Sequence, residues 1–118
     1  MIAQTKKPKK PNAKKDKTQL FLVLSKQWFY EILAGTKKEE YREFTDHNMS
    51  RLAVIENGEF VGCRQYETVK FQLGYTKNPP QMIVEVKEIT LDMNDPNAEL
   101  LTIDNCNFTI KLGQVLEK

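Results

Sequence analysis

The apolar and polar positions divide the chain into a polar start and a patterned body. Residues 1–18, MIAQTKKPKKPNAKKDKT, hold almost nothing apolar. Leu20 to Leu24 is then a continuous apolar run, which predicts a short strand buried on both faces. Ser25 stands where a helix N-cap belongs, ahead of a helix from about Lys26 to Ala34. Trp28, Phe29, Ile32 and Leu33 fall on one stripe of that helix and are expected in the core. Gly35 follows directly and suits the left-handed position that ends a helix. The first unit is therefore strand, helix, glycine stop.

The segment Lys37 to Glu43, K-K-E-E-Y-R-E, is too polar for a central strand and fits one facing a wet surface. If extended, it puts Lys38, Glu40 and Arg42 on one side and Lys37, Glu39 and Tyr41 on the other. Residues 46–53 suit a short helix with Met49 and Leu52 inward. Asn57-Gly58 and Gly62 read as turns within 56–64. Val69, Phe71, Leu73 and Tyr75 alternate with polar residues or glycine, the pattern of a half-buried strand. Pro79-Pro80 marks a loop, and Met82 to Leu91 is rich in β-formers. Asp95-Pro96 suits the start of one helical turn towards Leu101. Phe108, Ile110 and Leu112 alternate in a last strand, which Gly113 is expected to bend. Five or six strands and one good helix predict an α+β, mostly β fold, as a small barrel or curled sheet.

Length bounds the organisation. The chain has 118 residues, room for one domain. Two parts are expected: a lysine-rich disordered tail over 1–18 and a folded domain over 19–118. The net charge of +2 hides their asymmetry. The tail carries seven Lys against one Asp, net +6, and the body eleven Lys plus Arg against fifteen Asp plus Glu, net −4. So basic and proline-containing a segment buries too little surface to offset its ordering entropy. It suits contact with polyanions, an address signal, or plain solubilisation. No apolar run approaches the ~20 residues that cross a bilayer, and none matches a secretory signal. The expected location is cytoplasmic, with no membrane association.

Metal and thiol chemistry find little support. Cys63 and Cys106 stand far apart, without the four-ligand spacing of a structural zinc site. His47 is the single histidine and has no partner set. Buried or idle thiols, no metal and no cofactor are expected.

The densest chemistry lies in Gly35-Thr36-Lys37-Lys38-Glu39-Glu40-Tyr41-Arg42. A turn after the helix stop sets Lys37 near a strand that projects Glu40 and Arg42. An arginine fork suits phosphate or carboxylate, and a glutamate can accept from a base amino group or move protons. On residue types alone, a solvated strand face with weak ion pairs is the better account of this pattern. Trp28 and Phe29 are of a type that stacks on bases, but their helical spacing with Ile32 and Leu33 reads first as core. Tyr75, after Gly74 at a strand end, suits a cleft rim or partial burial.

The order G-x-K-x-x-E-x-R, here Gly35, Lys37, Glu40 and Arg42, resembles the signature of the ASCH domain, the activating-signal-cointegrator homology family. The apolar strand and amphipathic helix that precede it, Phe71 to Tyr75 (F-Q-L-G-Y) and Phe108 to Gly113 (F-T-I-K-L-G) also look like small bacterial and phage members. The resemblance spans about residues 20–116. It implies a small PUA-like β-barrel with one main α-helix packed beside it, and a charged cleft between barrel and helix. The implied ligand is RNA, a nucleotide or a nucleoside. The implied binding residues are Lys37, Glu40 and Arg42, with Gly35, Thr36 and Tyr75 beside them. Some small members are amidohydrolases on acetylated cytidine. They use the motif lysine with a threonine where this chain has Glu40. Lys37 and Glu40 are the catalytic candidates if this chain shares that activity. A protein-interaction module is a third reading.

Overall fold

The computed structural model describes residues 19–118. The expected disordered tail lies outside the described residues. In chain order the elements are β1 (Leu20–Leu24), α1 (Lys26–Leu33), β2 (Glu39–Glu43), α2 (Asp46–Leu52), β3 (Ala53–Glu56), β4 (Glu59–Cys63), β5 (Thr68–Leu73), β6 (Gln81–Met93) and β7 (Cys106–Glu117). Strand outweighs helix, 51% against 15%, so the fold is α+β and mostly β, as the alternating patterns predict. Five strands join in the order β1-β5-β6-β7-β2, and β3 and β4 pair as a separate hairpin. The described residues group into two compact units.

One unit takes residues 19–40, Tyr66–Glu88 and Lys111–Lys118. Here β1 runs parallel to β5, with Leu20 opposite Val69 and Leu24 opposite Leu73. A parallel pair needs a crossover, and α1 is its first segment. The start of β6 pairs antiparallel with β5, Thr68 opposite Glu85 and Gln72 opposite Gln81. Leu20, Leu22 and Leu24 are buried beside Val69, Phe71, Met82, Val84 and Val86 in this unit's core. The expectation that β1 is covered on both faces is corrected, because Phe21 is exposed and Val23 half-buried. Helix α1 buries Phe29 and Ile32 and leaves Leu33 half-buried. Its core arc is therefore narrower than the four-residue stripe. Ser25 does occupy the N-cap, yet its side chain makes no capping bond.

The glycine stop forms as expected. Gly35 has φ +83°, a left-handed conformation that costs an L side chain energy. The last turn is closed by N–H groups of Ala34 to Tyr30 C=O, Gly35 to Ile32 C=O and Thr36 to Glu31 C=O. These bonds satisfy carbonyls that a helix end otherwise leaves unpaired. Gly113 is not a bend: β7 runs through it to Glu117. A side chain there would run into the Glu85 carboxyl group, whose Oε1 accepts the Gln114 N–H at 3.2 Å.

The other unit takes Tyr41–Gln65 and Ile89–Ile110. Thr45 caps α2 by accepting the Asn48 N–H at 3.1 Å, and Leu52 is the buried residue of that helix. Asn57 and Gly58, φ 51° and 81°, turn the β3–β4 hairpin in the left-handed pair that hairpins favour. Gly62 is not a turn. It lies in β4 opposite Val54, where the register shifts. The Phe44 ring packs tilted against Phe108 and edge-on against Phe60, with centroids 5.6 and 6.3 Å away. Gln65 works as a strand residue with its side chain: its amide accepts the Ile89 N–H and donates to the Ile89 C=O. The helical turn expected after Asp95-Pro96 is cut down to one four-residue turn, in which the Ala98 N–H donates to the Asp95 C=O, and no helix continues towards Leu101. The Asp95 carboxylate also accepts the Asn97 N–H, a side-chain turn that competes with continuing the helix.

Candidate functional site

The site grows out of the end of α1. Glu31 C=O receives the N–H groups of Thr36 and Lys37 and also the Thr36 hydroxyl at 3.1 Å. Three donors on one carbonyl fix the turn and use up the Thr36 side chain. From that turn the Lys37 side chain runs back along the helix. Its Nζ stands 4.9 Å from the centroid of the Trp28 ring. The same ammonium lies 3.9 Å from Glu40 Oε1 on β2.

Both charged side chains are largely withdrawn from water, Lys37 at 15% and Glu40 at 9% side-chain exposure. The surface-strand expectation is corrected here. Glu40 is buried, while Tyr41, on the opposite side of the pleat, is exposed. Polar residues on both sides of K-K-E-E-Y-R-E hid which side turns inward. Trp28 is corrected too. It is 41% exposed and belongs to the site rather than the core. An exposed indole rim with a cation held over its ring is an amphipathic surface. Attraction between an ammonium and an indole contributes about 0.5–2 kcal/mol, depending on desolvation.

The remaining sequence candidates are distributed around this cluster. Gly35 and Thr36 form the turn that aims Lys37. Arg42 follows Glu40 by two residues, so the pleat gives the two the same side of β2. It is half-buried and groups with the other unit. Tyr75 is 85% exposed just past β5. The Gly74 N–H bonds to Leu24 C=O, which sets this segment at the end of β1 where α1 begins. The glycine stop lies at the other end of α1, about 12 Å along the helix axis for eight residues. Lys37 and Glu40 are thus brought together, joined by Trp28, which the stripe had assigned to the interior. No spacing rule links a helix residue to a lysine nine positions later. The contact depends on the left-handed turn sending the chain back.

Cys63 and Cys106 form no disulfide, and the second is buried. Burial pushes the Cys106 thiol above its ordinary 9.0. Among the described residues no cluster of His, Cys, Asp or Glu could hold a metal ion, and no helix is long and apolar enough to cross a membrane. Comparison with family models, curated proteins and solved structures gave no match.

Proposed function

We propose that this chain is an RNA- or nucleotide-binding module of the ASCH type, with a PUA-like fold, acting in the cytoplasm. One observation carries the reading: the Lys37 ammonium is held between the exposed Trp28 ring and the buried Glu40 carboxylate. A base can rest against such an aromatic rim, and an ordered carboxylate and ammonium beside it offer hydrogen-bond partners to a base edge. The motif order Gly35, Lys37, Glu40, Arg42 supports the same reading and adds Arg42 as a ligand residue. The seven-lysine tail supplies a general attraction for polyanions that the acidic body lacks.

Binding is favoured over amide hydrolysis. A general base needs a lysine free to approach the substrate, whereas Lys37 is already engaged by Trp28 and Glu40. Glu40 also stands where the hydrolases carry threonine.

The test is fluorescence anisotropy of a short labelled single-stranded RNA titrated with the full chain at two salt concentrations. Trp28→Leu and Arg42→Gln are each expected to weaken binding about tenfold, the scale of one stacking contact or one charged hydrogen bond. Equal affinity in both variants, with binding that salt abolishes, would overturn the site and leave RNA contact to the tail.

A further inference from the structure

A second feature of the β1–β5 unit has no part in the reading above. Lys38, Glu85, Lys87, Leu112, Gly113 and Gln114 line an open groove of about 540 Å³, within the range of small-molecule sites. Lys38 follows Lys37 directly, yet it lines this groove, while the Lys37 ammonium is held at Trp28. Lys38 and Lys87 are exposed, and among the described residues neither ammonium has an ion-pair partner.

Glu85 is different from a loose surface carboxylate. Its Oε1 accepts the Gln114 backbone N–H at 3.2 Å, and it crosses β7 at the one residue without a side chain. A glycine inside a strand weakens it and marks close approach of another group. Here that group is the Glu85 carboxyl. The groove therefore presents one carboxylate fixed by the backbone and two ammonium groups not neutralised by it.

We propose that this groove binds a phosphorylated ribose. Lys38 and Lys87 would take the phosphate, for which paired ammonium groups supply charge and donors. The second oxygen of Glu85 would accept a ribose hydroxyl, a neutral donor that stands apart from the charged phosphate bound by the lysines. The unit is either a free sugar phosphate or one nucleotide of a strand. The proposal does not rest on the Trp28 site and survives its failure.

The experiment follows backbone amide resonances of the 15N-labelled full chain during titration with ribose 5-phosphate, ribose, inorganic phosphate and the dinucleotide UpU. Ribose 5-phosphate is expected to shift Gly113 and Gln114, and a Lys38→Gln/Lys87→Gln variant to weaken it at least tenfold. Glu85→Gln is expected to weaken ribose 5-phosphate but not inorganic phosphate. UpU matching ribose 5-phosphate assigns the site to a strand, and a silent UpU assigns it to the free sugar phosphate. No shift at Gly113 or Gln114 at millimolar ribose 5-phosphate would overturn the proposal. So would shifts that persist in the double variant with its remaining spectrum unchanged. Equal affinity for inorganic phosphate and ribose 5-phosphate would overturn the role of Glu85.

Discussion

Lys37 Nζ lies 4.9 Å from the centre of the Trp28 ring, although Trp28 is in the first turn of α1 and Lys37 follows its glycine stop. The lysine therefore folds back over the helix that precedes it. Trp28 is the sole tryptophan of the chain. Its emission reports directly on this contact. Lys37→Met is expected to change the emission intensity and to destabilise the fold by about 1–2 kcal/mol, from the lost ring contact and ion pair. A Trp28/Lys37 double-mutant cycle by urea denaturation should return a coupling of roughly 0.5–1 kcal/mol. Additive single losses would show that the contact contributes nothing.

The Gly35 conformation controls where Lys37 points. Gly35→Ala keeps the helix sequence but sets an L side chain at φ +83°. The expected loss is about 1 kcal/mol, with altered Trp28 emission, because the turn that returns Lys37 is strained. Unaltered emission in a destabilised variant would separate the turn from the lysine placement.

Gln65 is expected to be a stability residue despite its polar side chain. Its amide fills both bonding positions of Ile89. Gln65→Ala strips both partners and is expected to cost about 1–3 kcal/mol, the penalty for partly buried backbone groups left unpaired. Hydrogen exchange at the Ile89 amide should accelerate in the variant. Exchange as slow as in the parent would contradict the assignment.

At Gly113 a new methyl group meets first the carboxyl end of the Glu85 side chain. Gly113→Ala should therefore expel the carboxylate rather than break β7. A cost of about 1 kcal/mol is expected, the value of the lost Gln114 bond. Adding Glu85→Ala should lower the penalty, leaving only the tight 3.1 Å approach to the Cβ of residue 85. A full penalty in the double variant would place the strain in the backbone instead.

Cys106 gives a pH dependence. Burial raises its folded pKa above the ordinary 9.0, so above that pH the unfolded chain loses the proton first. The native state then binds more protons than the unfolded one, and stability falls as pH rises. Its contribution is complete below pH 9.0 and declines above it. Urea midpoints across the alkaline range should fall less steeply for Cys106→Ala than for the parent. Parallel declines would assign the alkaline loss to other groups.

The sequence disclosed what alternation and punctuation can encode. β1, α1, Gly35, α2, β5 and the Phe108–Leu112 part of β7 are where the apolar pattern sets them, whereas the run of β7 on through Gly113 was not legible. The β3–β4 hairpin was legible only as a turn. Val54-Ile55 and Phe60-Val61 are too short to display a period, although Asn57-Gly58 between them is a strong hairpin signal. Glu40 was read outward because both sides of its strand are polar. Trp28 was read inward because stripe membership does not say how wide an arc the core accepts. Both errors fall on the same three-residue cluster, where tertiary contacts rather than local pattern decide the direction. Such disagreements concentrate where a chain departs from simple packing rules.

The parallel pairing of β1 with β5 has a consequence for synthesis. Gln19 and Thr68, which bond at the start of that pair, are 49 positions apart. A ribosome releases β1 and α1 well before the strand that completes their sheet exists. Phe29 and Ile32 must wait uncovered while the residues between are made. The nascent chain is thus most exposed to aggregation early, and most in need of a chaperone before Leu73 has emerged.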